Sequence, residues 1–223
     1  MPNAADRVLL VELRAAARWT ELLRLPGPQQ PPAPSTETVR WPAQPSGSNG
    51  MRLHFEDGAF DSLACPLGIS ILSKARDAMA EWLRVLKPEG KVLSSAFGAK
   101  AFRPLLDLYA NQLFDYGLAR AAGVAVAPWR RFDGPEAVSR LMRDAGFTRV
   151  TVLVEQRGRS LPSAEKWWDL LAASGLLSPL DKLSRGELAA FKEEHLHEVG
   201  LLAKSAGIWL DIPVASVAAY KPQ

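Results

Sequence analysis

A strand, an amphipathic helix and a second strand follow one another between residues 62 and 97, and this order constrains the fold more than any other feature. The apolar run Ser62 to Pro66 precedes a helical segment, 73–86, whose apolar residues recur at the spacing of one buried stripe. The next strand is predicted at 91–97. Because short crossovers of this kind join parallel strands, the sequence predicts a parallel sheet flanked by helices.

The first part of the chain extends this alternation. A β-favouring run at 7–13 is followed by helical spacing over 14–25, and Pro26 with Gly27 ends that helix. Residues 26–36 are rich in proline and glutamine and are predicted to run over the surface. A second strand is predicted at 37–41.

The last part of the chain adds helices and two closing strands. Helices are predicted at 101–122, 134–145, 163–174 and 184–206. The closing strands are predicted at 147–155 and 213–221. Residues 156–212 are therefore predicted to form a helical cap, inserted between the last two strands over the carboxyl ends of the strands.

The composition indicates one globular domain, 1–223, and excludes several other classes. Of the 223 residues, 48% are hydrophobic and 23% are charged, which suits a chain with an ordinary core. The net charge of +3 is too small for a strong field, so nucleic-acid binding is permitted and not implied. No apolar run reaches the roughly 20 residues of a membrane span, and no secretory leader is recognisable. We expect a cytoplasmic protein with no membrane partner.

The cysteine and histidine content argues against a metal site. Cys65 is the only cysteine, and the three histidines are His54, His195 and His197. His195 and His197 are two residues apart on a predicted helix, so they do not share a helix face and are expected to face solvent. Cys65 has no histidine near it in sequence and is predicted to be a small buried residue. We therefore expect no metal.

Two spaced motifs resemble those of a known protein family. LHFEDGAFD (53–61) and RVLKPEG (84–90) are separated by a strand and a helix, and AGFTRVTV (145–152) precedes a later strand. Together they resemble the class I S-adenosylmethionine-dependent methyltransferases, within them the small-molecule type of ubiquinone biosynthesis and malonyl-carrier-protein methylation. The resemblance implies a three-layer, Rossmann-like α/β fold, with a mostly parallel sheet of the seven-stranded type and an antiparallel last strand.

The glycine-rich loop that binds the cofactor in this family is missing. The family has the pattern E/D-x-G-x-G-x-G after the first strand, because the backbone there must approach the cofactor closely. Here LRAAA (13–17) follows the first strand, and no glycine lies between Met1 and Pro26. Side chains would occupy the space of the cofactor.

The acidic residues of the family are also altered. The second strand ends Val39-Arg40-Trp41-Pro42 without the carboxylate that accepts the ribose hydroxyls, and Asn49 stands near the expected adenine position. An Asn oxygen can still accept a hydrogen bond. If the cofactor is bound, the resemblance places Glu12, Leu13, Asn49 and Cys65 around it.

These observations leave two main hypotheses open. In the first, the chain has lost S-adenosylmethionine, has no cofactor and acts as a non-catalytic partner or scaffold, for instance of an active methyltransferase subunit. In the alternative, it is an active methyltransferase that uses an atypical loop to modify a small molecule or a carrier-bound acid. A third, weaker hypothesis is RNA association, suggested by the mild positive charge and the basic residues Trp129-Arg130-Arg131.

Aromatic residues offer further candidates. Trp167, Trp168 and Trp209 are predicted to pack the cap onto the sheet, with a substrate pocket as the alternative. Tyr109 and Tyr116 lie on a predicted helix where an active enzyme could use them to orient an acceptor.

Overall fold

The computed structural model describes residues 6–13, 36–41, 52–72, 74–119 and 134–223. Six strands form its sheet: β1 Val8–Leu13, β2 Thr36–Trp41, β3 Phe60–Cys65, β4 Leu86–Phe97, β5 Thr148–Leu161 and β6 Ile208–Tyr220. The helices are α1 Gly68–Ile71, α2 Ala75–Val85, α3 Leu105–Asp115, α4 Pro135–Asp144, α5 Ala164–Ser174 and α6 Arg185–Gly200, with a short 3-10 helix at Ser178–Lys182.

The strand order is β2-β1-β3-β4-β6-β5. The neighbours from β2 to β4 are parallel, whereas β6 is antiparallel to both β4 and β5. The prediction of a Rossmann-like methyltransferase sheet with an antiparallel last strand is therefore confirmed. The described residues contribute six strands to a sheet that we predicted to be of the seven-stranded type.

The two faces of the sheet differ in burial. On one face the side chains of Leu9, Val11, Leu63 and Val92 are fully buried, in one apolar cluster with residues of α2 and α4 such as Met79, Trp82 and Met142. On the other face Leu93 is 44% exposed. The strong apolar stripe of α2 and its short connections to β3 and β4 account for the buried face.

The two family motifs hold each other in place. Arg84 on α2 donates hydrogen bonds to the carbonyl oxygens of Phe55 and Leu53 at 2.7 and 2.9 Å, and to Asp57 and Glu81. Its pairing with Glu81 and then Asp57 raises the pKa of Arg84 and lowers that of Glu81. The motif around residues 53–57 is thus a structural turn fixed by one guanidinium.

Lys87 fixes the second motif in the same way. Its Nζ donates to both carboxylate oxygens of Asp61 at 2.8 and 2.9 Å, which lowers the pKa of Asp61. The predicted turn at residues 87–90 belongs to β4, as an irregular start with a register shift against β3 and a positive φ at Glu89. Phe60 is fully buried and meets Phe55 edge to face at 4.9 Å, as core anchors do.

The last two strands are longer than predicted. β5 and β6 pair from Thr148 with Tyr220 to Leu161 with Ile208, but β4 pairs with β6 only as far as Phe97 with Val214. Beyond that point residues 156–161 and 208–213 form a two-stranded ribbon at the carboxyl edge of the sheet. The predicted strand 147–155 stopped short because residues 156–160 are polar and include a glycine, whereas the predicted strand 213–221 missed the alternately buried Ile208, Leu210 and Ile212. Helix begins only at Ala164.

The helices between β5 and β6 pack against α3. Tyr109 donates to the carbonyl of Leu176 at 2.8 Å, and Gln112 donates to the carbonyl of Phe191 at 2.9 Å. Helix α6 begins with a capping box between Ser184 and Glu187. We call α3, α5 and α6 together the helical layer.

His195 lies inside this layer, so its predicted exposure is wrong. It is 1% exposed, and its Nε2 accepts a hydrogen bond from Trp167 Nε1 at 3.1 Å. Burial lowers the pKa of His195 to about 4, because the charged imidazolium would lose its hydration. His197 is exposed as predicted. Trp167 and Trp168 are buried, which confirms their predicted packing role. Trp209 lies on β6 and is 53% exposed, so its predicted place in the cap is wrong.

Candidate active site at the carboxyl edge of the sheet

The carboxyl ends of β1, β3 and β4 meet at one edge of the sheet. The chain passes from β1 to β2 in one direction and from β3 to β4 in the other, so the strand order reverses between β1 and β3. Open parallel sheets bind ligands outside the carboxyl ends of the strands at such a reversal. A ligand site is therefore expected at this edge.

Glu12 presents a carboxylate at this edge. It is the register partner of Arg40 on β2, and its Oε2 lies 3.3 Å from Arg40 Nε. The Glu12 side chain is 36% exposed. An acidic group therefore lies beside the end of β2, although β2 itself ends without one.

Leu13 and Cys65 lie at the ends of β1 and β3 with fully buried side chains. The Cys65 thiol packs against Gly68, where a Cβ would come within 2.3 Å of the sulfur, and burial raises the pKa of this thiol. The Cys65 carbonyl accepts a hydrogen bond from Ser94 Oγ at 2.7 Å. Cys65 is thus a small buried residue, as predicted, and either residue would reach a cofactor only through its main chain.

Several predicted positions lie outside the described residues. They are Asn49, residues 14–17 of the expected cofactor loop and the basic residues 129–131. Tyr109 and Tyr116 belong to the helical layer, where Tyr116 donates to Glu194 at 3.1 Å. Neither tyrosine lines the cavity described next.

A cavity of about 350 Å³ opens at the same edge, beyond β4. It lies between the end of β4, the first turns of α4 and the base of the ribbon. Phe97, Val138, Val154 and Pro213 give it apolar walls. Ligand pockets for small molecules start at roughly 300 Å³, so this cavity has the volume for a compact ring or an equivalent body.

Four polar side chains line the cavity: Lys100, Arg103, Gln156 and Asp211. Asp211 Oδ1 accepts hydrogen bonds from Trp209 Nε1 at 3.0 Å and from Gln156 Nε2 at 3.5 Å. Arg103 Nε lies 3.2 Å from Asp107. Lys100 has no ion pair or hydrogen bond with any described residue.

The turn that bears Lys100 and Arg103 is fastened to β6. Gly98 N donates to the carbonyl of Pro213 and Phe102 N to the carbonyl of Asp211, each at 2.8 Å. A Cβ at position 98 would lie 3.1 Å from Pro213 Cγ, so a larger residue would have to push the proline ring away by a few tenths of an ångström. Phe102 is buried against Phe97 and Trp167, and it has a φ of +64°, which bulky residues rarely adopt. The turn is therefore held by packing rather than by its own preference.

The sequence did not single out the four polar residues of the cavity. They come from the turn after β4 and from the paired strands of the ribbon, which are more than fifty residues apart in the chain. The run Gly98-Ala99-Lys100, directly after a predicted strand, was the available indication, since glycine and a charge at a strand's carboxyl end are typical of sites.

Two classes of feature do not occur in the described part of the chain. It contains no group of three or more His, Cys, Asp or Glu residues that could hold a metal ion. None of its helices is both long and apolar enough to cross a bilayer.

Comparison with known proteins adds a family match. A profile described as the ubiE/COQ5 methyltransferase family matches residues 43–158, which include both motifs, β4 and α4. The chain is 30% identical over 114 residues to a demethylmenaquinone methyltransferase from Parafrankia sp., a match that covers 47% of this chain and 45% of that protein. It is 34% identical over 110 residues to a mitochondrial 2-methoxy-6-polyprenyl-1,4-benzoquinol methylase from Leishmania donovani, with coverages of 45% and 38%.

These matches thus span less than half the length of either relative. A solved structure from Anabaena variabilis, described as a methyltransferase from an antibiotic biosynthesis pathway, superposes with a TM-score of 0.54 at 15% identity. That superposition covers 98% of this chain and 92% of the other, and it shows a shared fold.

Proposed function

Since the chain belongs to the ubiE/COQ5 methyltransferase family, we propose that it is an S-adenosylmethionine-dependent methyltransferase whose acceptor is a small molecule. The observation that supports this most directly is the cavity of about 350 Å³ at the carboxyl edge of a methyltransferase sheet. Its apolar walls suit a compact ring, and its polar groups lie on a turn fastened to the neighbouring strand.

The comparisons favour this enzymatic alternative over the predicted non-catalytic scaffold, and they give no support to the expectation that the chain has no cofactor. The scaffold hypothesis depended on residues 14–17, which lie outside the described residues and before the matched segment. A protein partner and a weaker RNA association remain predictions.

Glu12 is the described side chain that fits the cofactor best. Its carboxylate is partly exposed at the carboxyl end of β1, and within the described residues it is paired with Arg40 alone. We assign it the role of accepting hydrogen bonds from the ribose hydroxyls, which the end of β2 cannot fill. Leu13 and Cys65 would contribute main-chain groups only, and Asn49 remains a predicted contact.

Asp211 is suited to handling the proton that an acceptor loses. When bound, S-adenosylmethionine supplies an electrophilic methyl group, and an acceptor methylated at oxygen or carbon gives up a proton. Asp211 is the only carboxylate among the described residues that line the cavity. It is held in place by Trp209 and Gln156, so it can accept that proton as a general base.

We further propose that α5 and α6 act as a cap for this site. Phe102, on the turn that borders the cavity, contacts Trp167 of α5 with ring centroids 6.3 Å apart. A movement of the helical layer would therefore reach the cavity through that turn.

Titration calorimetry with S-adenosylmethionine tests the proposal. The full chain should bind the cofactor, and the Glu12→Gln variant should bind it about tenfold more weakly, because a charge-assisted hydrogen bond is lost. Glu165→Gln, on an exposed turn of α5, is the matched control and should bind like the parent. Incubation with hydroquinone should release S-adenosylhomocysteine. A parent chain that does not bind the cofactor at all would contradict the proposal.

A further inference from the structure

The polar groups of the cavity are not equally engaged within the protein. Asp211 is engaged by two donors, and Arg103 is paired with Asp107. Lys100 is the charged side chain of the described lining that has neither a hydrogen bond nor an ion pair with a described residue. The charged group left open to a ligand in the described lining is therefore an ammonium.

The turn that bears this ammonium has a fixed main chain. Lys100 and Arg103 lie in one turn, and main-chain hydrogen bonds from Gly98 and Phe102 fasten that turn to β6. Phe102 keeps a left-handed φ there because its ring is buried between neighbouring aromatic rings. A solvated lysine on a mobile loop would need none of these constraints.

We infer that the cavity accepts a small aromatic acid, with its carboxylate at Lys100 and its ring between Phe97, Val154 and Pro213. A lysine ammonium recognises a carboxylate as a point charge, and the apolar walls exclude water from the ring. The binding of this acid is independent of the proposed function. Its role as the methyl acceptor rests on the proposed function.

This substrate class differs from the one suggested by the relatives' names. A quinol ring is neutral and would leave Lys100 without a partner, and a polyprenyl chain would extend beyond a cavity of about 350 Å³. A phenolic acid satisfies both the charge and the volume.

A matched pair of ligands isolates the effect of the ligand's charge on binding. 3,4-Dihydroxybenzoate and 3,4-dihydroxybenzamide have nearly the same size and shape, and only the first is an anion at pH 7. Titrated into the full chain without cofactor, the acid should bind about fivefold more tightly than the amide, which is the size expected of a partly exposed ion pair. Raising the salt concentration should reduce that preference.

Two variants locate the preference. Lys100→Gln should remove the preference, because it should weaken the binding of the acid and leave the binding of the amide unchanged. Lys166→Gln is the control, because Lys166 is an exposed lysine on α5 that does not line the cavity, and it should retain the preference. Circular dichroism of both variants should match the parent.

The inference is overturned if the acid does not bind, if acid and amide bind equally, or if the preference survives in Lys100→Gln. It fails alone if hydroquinone is methylated while the acid shows no preference. The proposed function fails alone if the acid is preferred in the stated way and S-adenosylmethionine does not bind.

Discussion

The segment from residue 53 to 90 and the cavity region differ in how their charged side chains are paired. In the first, the charged side chains bind other groups of the protein: Arg84 joins a turn to a helix, and Lys87 pairs with Asp61. In the second, Lys100 and Asp211 stand on exposed positions, and the backbone beneath them is held by glycine, proline and aromatic packing. The motifs that identify the family are therefore structural, whereas the residues suited to chemistry belong to no motif.

The largest effect expected from this contrast is on stability at Arg84. Arg84→Met removes the donors of two carbonyl oxygens and leaves Glu81 without its guanidinium partner, with only the Leu53 N–H still donating to it, so the free energy of unfolding should fall by about 3 kcal/mol. Urea unfolding measures it. Arg76→Met on the same helix is the control: Arg76 is 71% exposed and pairs with Asp144 at 3.3 Å, so its loss should change stability by less than about 0.5 kcal/mol. Equal effects at the two arginines would show that the motif is not a structural interlock.

A second prediction concerns pH and the helical layer. The folded pKa of His195 is about 4, below the usual value of about 6.5, so the unfolded state binds the extra proton between these values. The stabilisation that comes from neutral His195 is fully present above pH 6.5 and is lost as the pH falls from 6.5 towards 4. Between pH 7 and pH 5, the free energy of unfolding of the parent should fall by about 2 kcal/mol more than that of a His195→Phe variant.

Urea unfolding at a series of pH values measures this difference. His197→Gln, at an exposed position two residues away, is the control and should keep the parent's pH dependence. Tyr109 from α3 and Trp167 from α5 face the imidazole, and neither changes its charge between pH 5 and 7. If His195→Phe keeps the full acid sensitivity, the titrating group lies elsewhere.

The smallest effect on stability is expected at Asp211, where the effect on catalysis should be large. Asp211→Asn keeps an acceptor for Trp209 on an exposed strand, so the free energy of unfolding should change by less than about 0.5 kcal/mol. Loss of the general base should slow methyl transfer about 100-fold. Release of S-adenosylhomocysteine measures the rate. A variant that is destabilised by several kcal/mol would place Asp211 with the structural residues and end the contrast.

The sequence predicted the parts of the fold whose pattern is local. The α2 stripe and the flanking strands are visible because apolar residues recur at regular spacing within fourteen residues or fewer. The ribbon escaped prediction because residues 156–160 are polar and include a glycine, although Ile208, Leu210 and Ile212 of the partner strand alternate as a buried face does. His195 is instructive: Phe191, His195 and Val199 recur every four residues and are all buried, but the surrounding glutamates suggested a solvated helix.

The candidate site was predictable only where it follows a strand end. Glu12 and Cys65 were found because they lie at the carboxyl ends of β1 and β3, and Cys65 is buried as its sequence context predicted. The cavity joins the turn after β4, the start of α4 and both strands of the ribbon. No spacing rule connects segments so far apart in the chain, since their proximity arises from the antiparallel return of β6.

The ribbon has a consequence for how this protein can change over evolutionary time. Leu161 and Ile208 are register partners, so the chain leaves and re-enters the sheet at a single point. An ordinary hairpin turn can bridge such a pair. The excursion between those residues can therefore be lengthened or exchanged over evolution without changing the order of the strands.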